Sequence, residues 1–138
     1  MVRPGVRQSF SRAFSSLDEV FAFTGRFYDG QRIDGEVCRS IDFAIEEVFT
    51  NWVKYRPGVT SPIELALTVE KGAVRVELID RDGEPFDLTR VPDADVDAPL
   101  KARKPGGLGM HLVRRMMDRF EFDHTDGTST VVMTKRSR

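Results

Sequence analysis

The sequence predicts an α+β fold, a two-layer sandwich in which helices cover one face of a mixed, mostly antiparallel sheet. Two apolar stripes with helical spacing come early in the chain, and most of the strand-like segments are gathered after them. A more even alternation of strands and helices would instead indicate a doubly wound sheet. Because 138 residues suit one core, we expect residues 1–138 to form a single domain.

The first half of the chain predicts an edge strand followed by two helices. Residues 7–14 have the composition of a short strand, and the capping-box sequence Ser16–Glu19 begins the first helix. Gly30 is expected to end that helix. The second helix is predicted from Asp34 to Tyr55, with Pro57–Gly58 after it. Its predicted buried stripe consists of Val37, Ile41, Ala44, Ile45, Val48 and Trp52.

The second half predicts two hairpins and a third helix. Apolar residues nearly alternate over 63–70 and 73–80, which indicates two strands joined by a tight turn. A helix from Gly107 to Arg119 comes next, and residues 120–124 and 129–135 close the sheet as two further strands. The residues expected to face inward from the third helix are Leu108, Leu112, Val113, Met116 and Met117.

Composition narrows the range of functions. The formal net charge is −1, with 21 basic and 22 acidic residues, which gives no general attraction to nucleic acid or to a membrane surface. The single cysteine, Cys38, excludes an internal disulfide, in keeping with a reducing compartment. No stretch approaches the roughly 18 apolar residues of a membrane span. We therefore expect a cytoplasmic protein that contacts neither nucleic acid nor membrane directly.

Two polar residues on the second helix are candidates for chemistry. Glu47 and Asn51 are four residues apart, so they lie on the same side of the helix. The carboxamide oxygen of Asn51 is a suitable ligand for Mg²⁺, and a carboxylate one turn earlier can deprotonate an attacking hydroxyl. The alternative is a solvated glutamate beside an asparagine at the rim of the core.

Two further segments contain candidate ligand-binding groups. Asp80 ends an apolar strand, where a carboxylate can accept a hydrogen bond from an adenine amino group, although an ordinary Asp-Gly turn would look the same. In PGGLGMHLVRRMMD, residues 105–118, three glycines precede or begin an amphipathic helix. Glycine-rich helix starts expose backbone N–H groups to anions such as phosphate, but this feature alone is weak evidence.

Together, and in this order, the segments EEVFTN, IDRDGEPFD, GGLGMHLVRRMMD and DGTSTVVMTKR resemble the GHKL ATPases. The closest resemblance is to the anti-sigma-factor serine-protein kinases (RsbW-like), and it covers roughly residues 10–136. It implies the Bergerat ATP-binding fold with ATP and Mg²⁺ as cofactors. In that fold Asn51 would hold Mg²⁺, Glu47 would be the general base, and either Asp80 or Asp82 would bind the adenine amino group.

The resemblance also implies the other contacts to the nucleotide. Residues 88–106 would form a lid over the ATP, from which Arg103 and Lys104 reach the phosphates. Phosphate would also lie against the start of the third helix, and the adenine edge against the last strand. The residues concerned are Gly83 at the adenine turn, Gly107, Leu108 and Gly109 at the helix start, and Thr128 or Thr130 on the strand.

One departure from the family pattern affects the expected activity. The usual box is Asp-x-Gly, and aligning Gly83 places Arg81 where the adenine-binding Asp belongs. The resemblance implies a kinase that phosphorylates a serine of a STAS-type anti-sigma-factor antagonist, and the intact Glu47 and Asn51 favour this function. The irregular box favours the alternative, a non-catalytic module that binds a sigma factor or the antagonist. A homodimer is compatible with both.

Overall fold

The computed structural model describes residues 5–55, 58–81 and 107–137. Within these ranges the order of elements is the predicted one, a strand, two helices, two strands, a helix and two strands. No helix among the described residues is long and apolar enough to cross a lipid bilayer. The elements are β1 (Val6–Phe10), α1 (Leu17–Gln31), α2 (Gly35–Tyr55), β2 (Ile63–Glu70), β3 (Ala73–Asp80), α3 (Gly107–Met116), β4 (Arg119–Thr125) and β5 (Thr128–Arg136).

The five strands form one sheet in the order β1-β2-β3-β5-β4, and every pairing in it is antiparallel. The expected mixed sheet is therefore purely antiparallel over the described strands. Two-residue turns close both hairpins, with φ of 53° and 78° at Lys71 and Gly72 and of 51° and 78° at Asp126 and Gly127. Positive φ at both central residues matches the twist of the flanking strands, which explains the glycine in each turn.

The core lies between the helices and one face of the sheet. Side chains on β2, β3 and β5 alternate between buried and half-buried positions, and Leu65, Leu78 and Val131 form one buried row across the three strands. The predicted stripe on α2 packs into this core, and Ile41 and Trp52 are fully buried. Because burying a large apolar side chain contributes ~1.5–3 kcal/mol, this stripe fixes α2 on the sheet.

The ends of α1 differ from the sequence-based expectation. Ser16 makes no side-chain cap bond, since it belongs to a short 3-10 turn that continues directly into the helix. The helix also passes through Gly30 and ends after Gln31. Arg32 takes the left-handed conformation at φ 54°, and its backbone N–H bonds to the carbonyl of Tyr28. A non-glycine residue thus ends α1.

Two expectations for α3 are wrong. The helix ends at Met116 rather than at Arg119, because Arg119 is already paired in β4. Leu112 points away from the core and is 40% exposed, while Met110 is buried. The buried positions 110, 113 and 117 recur at spacings of three and four, and Leu112 lies off this stripe. Val113 and Met117 are buried as predicted, whereas Met116 is half-buried.

Candidate functional site

Asn51 is part of the buried face of α2 and not of its rim. The residue is 5% exposed, and its Nδ2 donates a hydrogen bond of 2.7 Å to the backbone carbonyl of Glu47. This bond commits the amide nitrogen and leaves Oδ1 as the acceptor of the side chain. A carboxamide oxygen is the kind of ligand that a hard cation such as Mg²⁺ prefers, so the residue fits the group that the resemblance implies.

Glu47, one turn before Asn51, is half-buried. Loss of solvation by burial raises the pKa of its carboxyl group, and the neighbouring charge of Glu46 raises it further, while Lys54 acts in the opposite direction. A carboxylate with a raised pKa holds a proton more readily. This change brings Glu47 nearer to the range in which a general base is effective at neutral pH.

Helices α2 and α3 meet where Glu47 lies against Gly109. A β-carbon built on Gly109 would lie 2.5 Å from Cδ and 3.0 Å from Oε1 of Glu47, and closer still to Oε2. Such distances are shorter than van der Waals contact, so only glycine leaves room for the carboxylate in this position. The first turn of a helix has backbone N–H groups without partners inside the helix. The structure therefore brings the predicted base next to the predicted phosphate-binding backbone.

Asp80 is fully buried at the end of β3 and forms an ion pair that the sequence did not predict. Nη2 of Arg12 lies 2.6 Å from Oδ1 of Asp80, and only 3% of the Arg12 side chain is exposed. Arg12 also donates through Nε and Nη2 to the carbonyl and hydroxyl oxygens of Ser61, at 3.0 and 3.3 Å. The segment after β1 is thereby tied to the ends of β2 and β3 that meet at this edge.

Arg81, the departure from the family box, points to the other side of the sheet. Its guanidinium pairs with Glu64 through contacts of 2.8 and 3.2 Å, and its side chain is 57% exposed. Hydrogen bonds from Arg81, together with those from Arg7, lower the pKa of the Glu64 carboxyl group. Successive side chains of a strand alternate between faces. Asp80 consequently lies on the face that the helices cover, whereas Arg81 does not.

On β5 the residue that shares the face of Asp80 is Ser129. Ser129 is fully buried, pairs with Asp80 in the strand register, and its Oγ lies 2.9 Å from Nδ1 of His124. Thr128 and Thr130, the residues expected at the adenine edge, alternate with it and are directed to the opposite face. Alternate side chains of a strand share a face, so the pattern that places Val131 and Met133 in the core would also have indicated that Ser129 faces inward.

The remaining predicted site residues are described only in part or lie outside the described residues. Gly107 and Leu108 form the start of α3, but the side chain of Leu108 is outside the described part. The proposed lid, 88–106, lies wholly outside the described residues. The same is true of Asp82, Gly83, Arg103 and Lys104.

Comparison with known proteins gives one family and several structural relatives. The family model described as the histidine kinase-like ATPase domain matches residues 10–135. A structure of the RsbU and RsbW domains of Rv1364c from Mycobacterium tuberculosis aligns with a TM-score of 0.68 at 19% identity, over 97% of this chain and 32% of that chain. The structure of the SiaB–SiaC complex from Pseudomonas aeruginosa aligns with a TM-score of 0.66 at 10% identity, over 94% of this chain and 88% of that chain. No curated protein matches the chain significantly.

These findings confirm the predicted resemblance at the level of the ATPase domain. The family match spans the α2, β3 and α3 segments on which the resemblance was based. The two structures share the fold, although this chain corresponds to only about a third of the mycobacterial one, 32% of its length.

Proposed function

The chain belongs to the family of histidine kinase-like ATPase domains, and on that basis we propose that it binds Mg-ATP and phosphorylates a serine of a small antagonist protein in anti-sigma regulation. The observation that carries the proposal is the contact between the Glu47 carboxylate and the first turn of α3 at Gly109. This contact supports the proposal because the carboxylate that would act as the base lies beside the backbone that would bind phosphate, and the buried amide of Asn51 is one turn further along α2.

The resemblance implies a role for each residue in this proposal, and the environments described above support these roles. Asn51 would hold Mg²⁺ through Oδ1, and the chemistry that the cation would supply is compensation of negative charge on the phosphates. The N–H groups at the start of α3 bind phosphate, while Asp80 accepts a hydrogen bond from the adenine amino group. Glu47 orients the serine hydroxyl and takes its proton as the serine oxygen bonds to the γ-phosphorus and ADP leaves.

The proposed protein partners are a STAS-type antagonist, as the phosphorylated substrate, and a sigma factor, as the protein that is held. They follow from the resemblance of the motifs to the anti-sigma-factor kinases. The structural relatives include an RsbW domain and a two-protein complex, and this supports a role in binding protein partners.

A second candidate function is a binding module without useful kinase activity. The observation that favours it is the ion pair of Arg12 with Asp80, at 2.6 Å and almost fully buried. Arg12 already engages Oδ1 of Asp80 within the protein, so the pair can serve as a purely structural link between the end of β3 and the segment after β1. In this case the chain would hold its protein partner and transfer no phosphate.

Labelled ATP, Mg²⁺ and candidate antagonists from the same genome distinguish the two functions. We expect wild type and Glu36→Gln to phosphorylate one antagonist on serine, since Glu36 is an exposed glutamate in the first turn of the same helix and has no proposed role. Glu47→Gln should retain ATP binding but phosphorylate ~10²–10⁴-fold more slowly, the usual contribution of a general base. Equal rates for the two variants would refute the role of Glu47. Partner binding by wild type without any phosphorylation would establish the binding module.

A further inference from the structure

The guanidinium of Arg12 has a buried donor that nothing in the described part of the chain accepts. Its Nε and Nη2 bond to Ser61 and Asp80, as above. Nη1 is also shielded from solvent, and no hydrogen-bond partner for it is present. Buried polar groups in folded proteins nearly always have partners, so this N–H calls for an acceptor that the described residues do not supply, and a bound ligand is one such acceptor.

We propose that Arg12 is a base-reading residue that acts together with Asp80, an inference that rests on the proposed ATP binding. Adenine presents its amino group, a donor, directly beside an unprotonated ring nitrogen, an acceptor, on both of its hydrogen-bonding edges. The Asp80 carboxylate accepts from the amino group, and Nη1 of Arg12 donates to the neighbouring ring nitrogen. The pair thus presents an acceptor and a donor that complement an aminopurine.

The position of the pair in the fold supports this assignment. Asp80 lies between Ile63 and Ser129 in the strand register, on the face that the helices cover. Arg12 reaches it from beyond the end of β1 and is anchored at Ser61, just before β2. Because two of its nitrogens are held by protein, the direction of the third is fixed before a ligand binds.

A purely structural role for Arg12 makes a different prediction. If the residue only holds Asp80 in place, its removal weakens the binding of every purine nucleotide by a similar factor. If Nη1 donates to the base, removal of Arg12 also abolishes the preference for ATP over an analogue that lacks the ring nitrogen. The ratio of two affinities therefore separates the roles.

The experiment is a calorimetric titration of the full chain with Mg-ATP, 1-deaza-ATP and 7-deaza-ATP, in which CH replaces one ring nitrogen. For wild type we expect one analogue to bind about tenfold more weakly than ATP, the loss of one charge-assisted hydrogen bond. In Arg12→Met the ratio of the affinity for ATP to the affinity for that analogue should fall to about one. Arg7→Met is the matched control, since Arg7 lies on β1 but its side chain is 51% exposed and pairs with Glu64. That variant should keep the wild-type ratio.

Three results would overturn the inference. The first is that wild type binds ATP and both analogues with equal affinity. The second is that the ratio of the affinities for ATP and the weaker analogue is the same in Arg12→Met as in wild type. If Arg12→Met fails to fold, Arg12→Lys takes its place, because lysine retains a charge for Asp80 but lacks the branched donors. Arg12→Lys should then bind ATP and the analogue with similar affinity. The third contrary result is that Arg12→Lys keeps the wild-type ratio of affinities. Absence of ATP binding by wild type would instead remove the proposed function and this inference with it.

Discussion

The carboxylate of Glu47 occupies the space that a β-carbon on Gly109 would need, with Cδ only 2.5 Å from that position. Position 109 must therefore be glycine for the Glu47 side chain of α2 to fit, whether or not a bound phosphate also needs the space. Since the overlapping atoms are the far end of a flexible side chain, a substitution at Gly109 would displace the Glu47 carboxylate and leave the packing of the helices largely intact.

Gly109→Ala should consequently separate stability from activity. We expect the free energy of unfolding in urea to change by less than ~1 kcal/mol, because the carboxylate can swing away and alanine favours the helix. The rate of phosphorylation at saturating ATP should fall sharply. Adding Glu47→Gln to Gly109→Ala should lower this rate little further, because both changes remove the same interaction.

Gly25→Ala is the matched control for that prediction. Gly25 lies within α1, and a β-carbon there would meet nothing within 4 Å. The Gly25→Ala variant should be more stable than wild type by ~0.4–1 kcal/mol. Its rate of phosphorylation should be unchanged. If Gly109→Ala behaves in the same way as Gly25→Ala, the contact with Glu47 has no functional consequence.

The raised pKa of Glu47 predicts a pH-dependent effect on stability. When the folded-state pKa of a carboxyl group exceeds its unfolded value, the folded protein binds more protons between the two values, and stability falls as pH rises through that window. Burial is the main cause of the shift here. Glu47→Gln should therefore be more stable than wild type at neutral pH, and the difference should vanish below the ordinary pKa of glutamate.

Chemical denaturation of both proteins from pH 4 to pH 8 provides the measurement. Glu36→Gln serves as the control, because it removes an exposed glutamate from the first turn of the same helix and leaves both Glu47 and its neighbour Glu46 in place. A Glu47→Gln curve parallel to that of wild type over the whole range would show that the shift in pKa does not affect folding.

The two charged residues at the end of β3 should differ in their importance for folding. Asp80→Asn breaks a buried ion pair and leaves the guanidinium of Arg12 without its counter-charge, which should cost ~3–5 kcal/mol. Arg81→Met removes an exposed pair with Glu64 and should change the urea midpoint little. The reverse order would mean that Arg81, and not Asp80, is the structural charge at this edge.

The buried amide of Asn51 predicts a specific dependence on magnesium. Asn51→Ala should lose the increase in ATP affinity that Mg²⁺ gives to wild type, because the oxygen that would bind the cation is gone. Thr50→Ala is the control, since Thr50 is half-buried on the same helix and bonds to the carbonyl of Glu46. Calorimetry with and without Mg²⁺ measures both, and an identical Mg²⁺ effect in Asn51→Ala would exclude the assignment.

Much of the fold follows from short windows of the sequence. β2 and β3 have the predicted bounds, because alternating apolar residues and a Lys-Gly turn are local signals. The stripe on α2 and the adjacency of Glu47 and Asn51 follow from helical spacing alone. The ends of α1 were less predictable, since Gly30 is compatible with both a helix interior and a helix end, and the conformation of Arg32 decided between them.

The tertiary structure decided which of these residues meet. Arg12 and Asp80 are separated by 68 positions, and no local pattern relates them. They are close because Phe10, Ile63 and Asp80 are neighbours in the register of β1, β2 and β3, so the guanidinium just past β1 reaches across the start of β2. Glu47 contacts Gly109 only because α2 and α3 pack together. Periodicity and turn chemistry act over a few residues and determine the elements, whereas burial and pairing depend on the assembled sheet and determine the site.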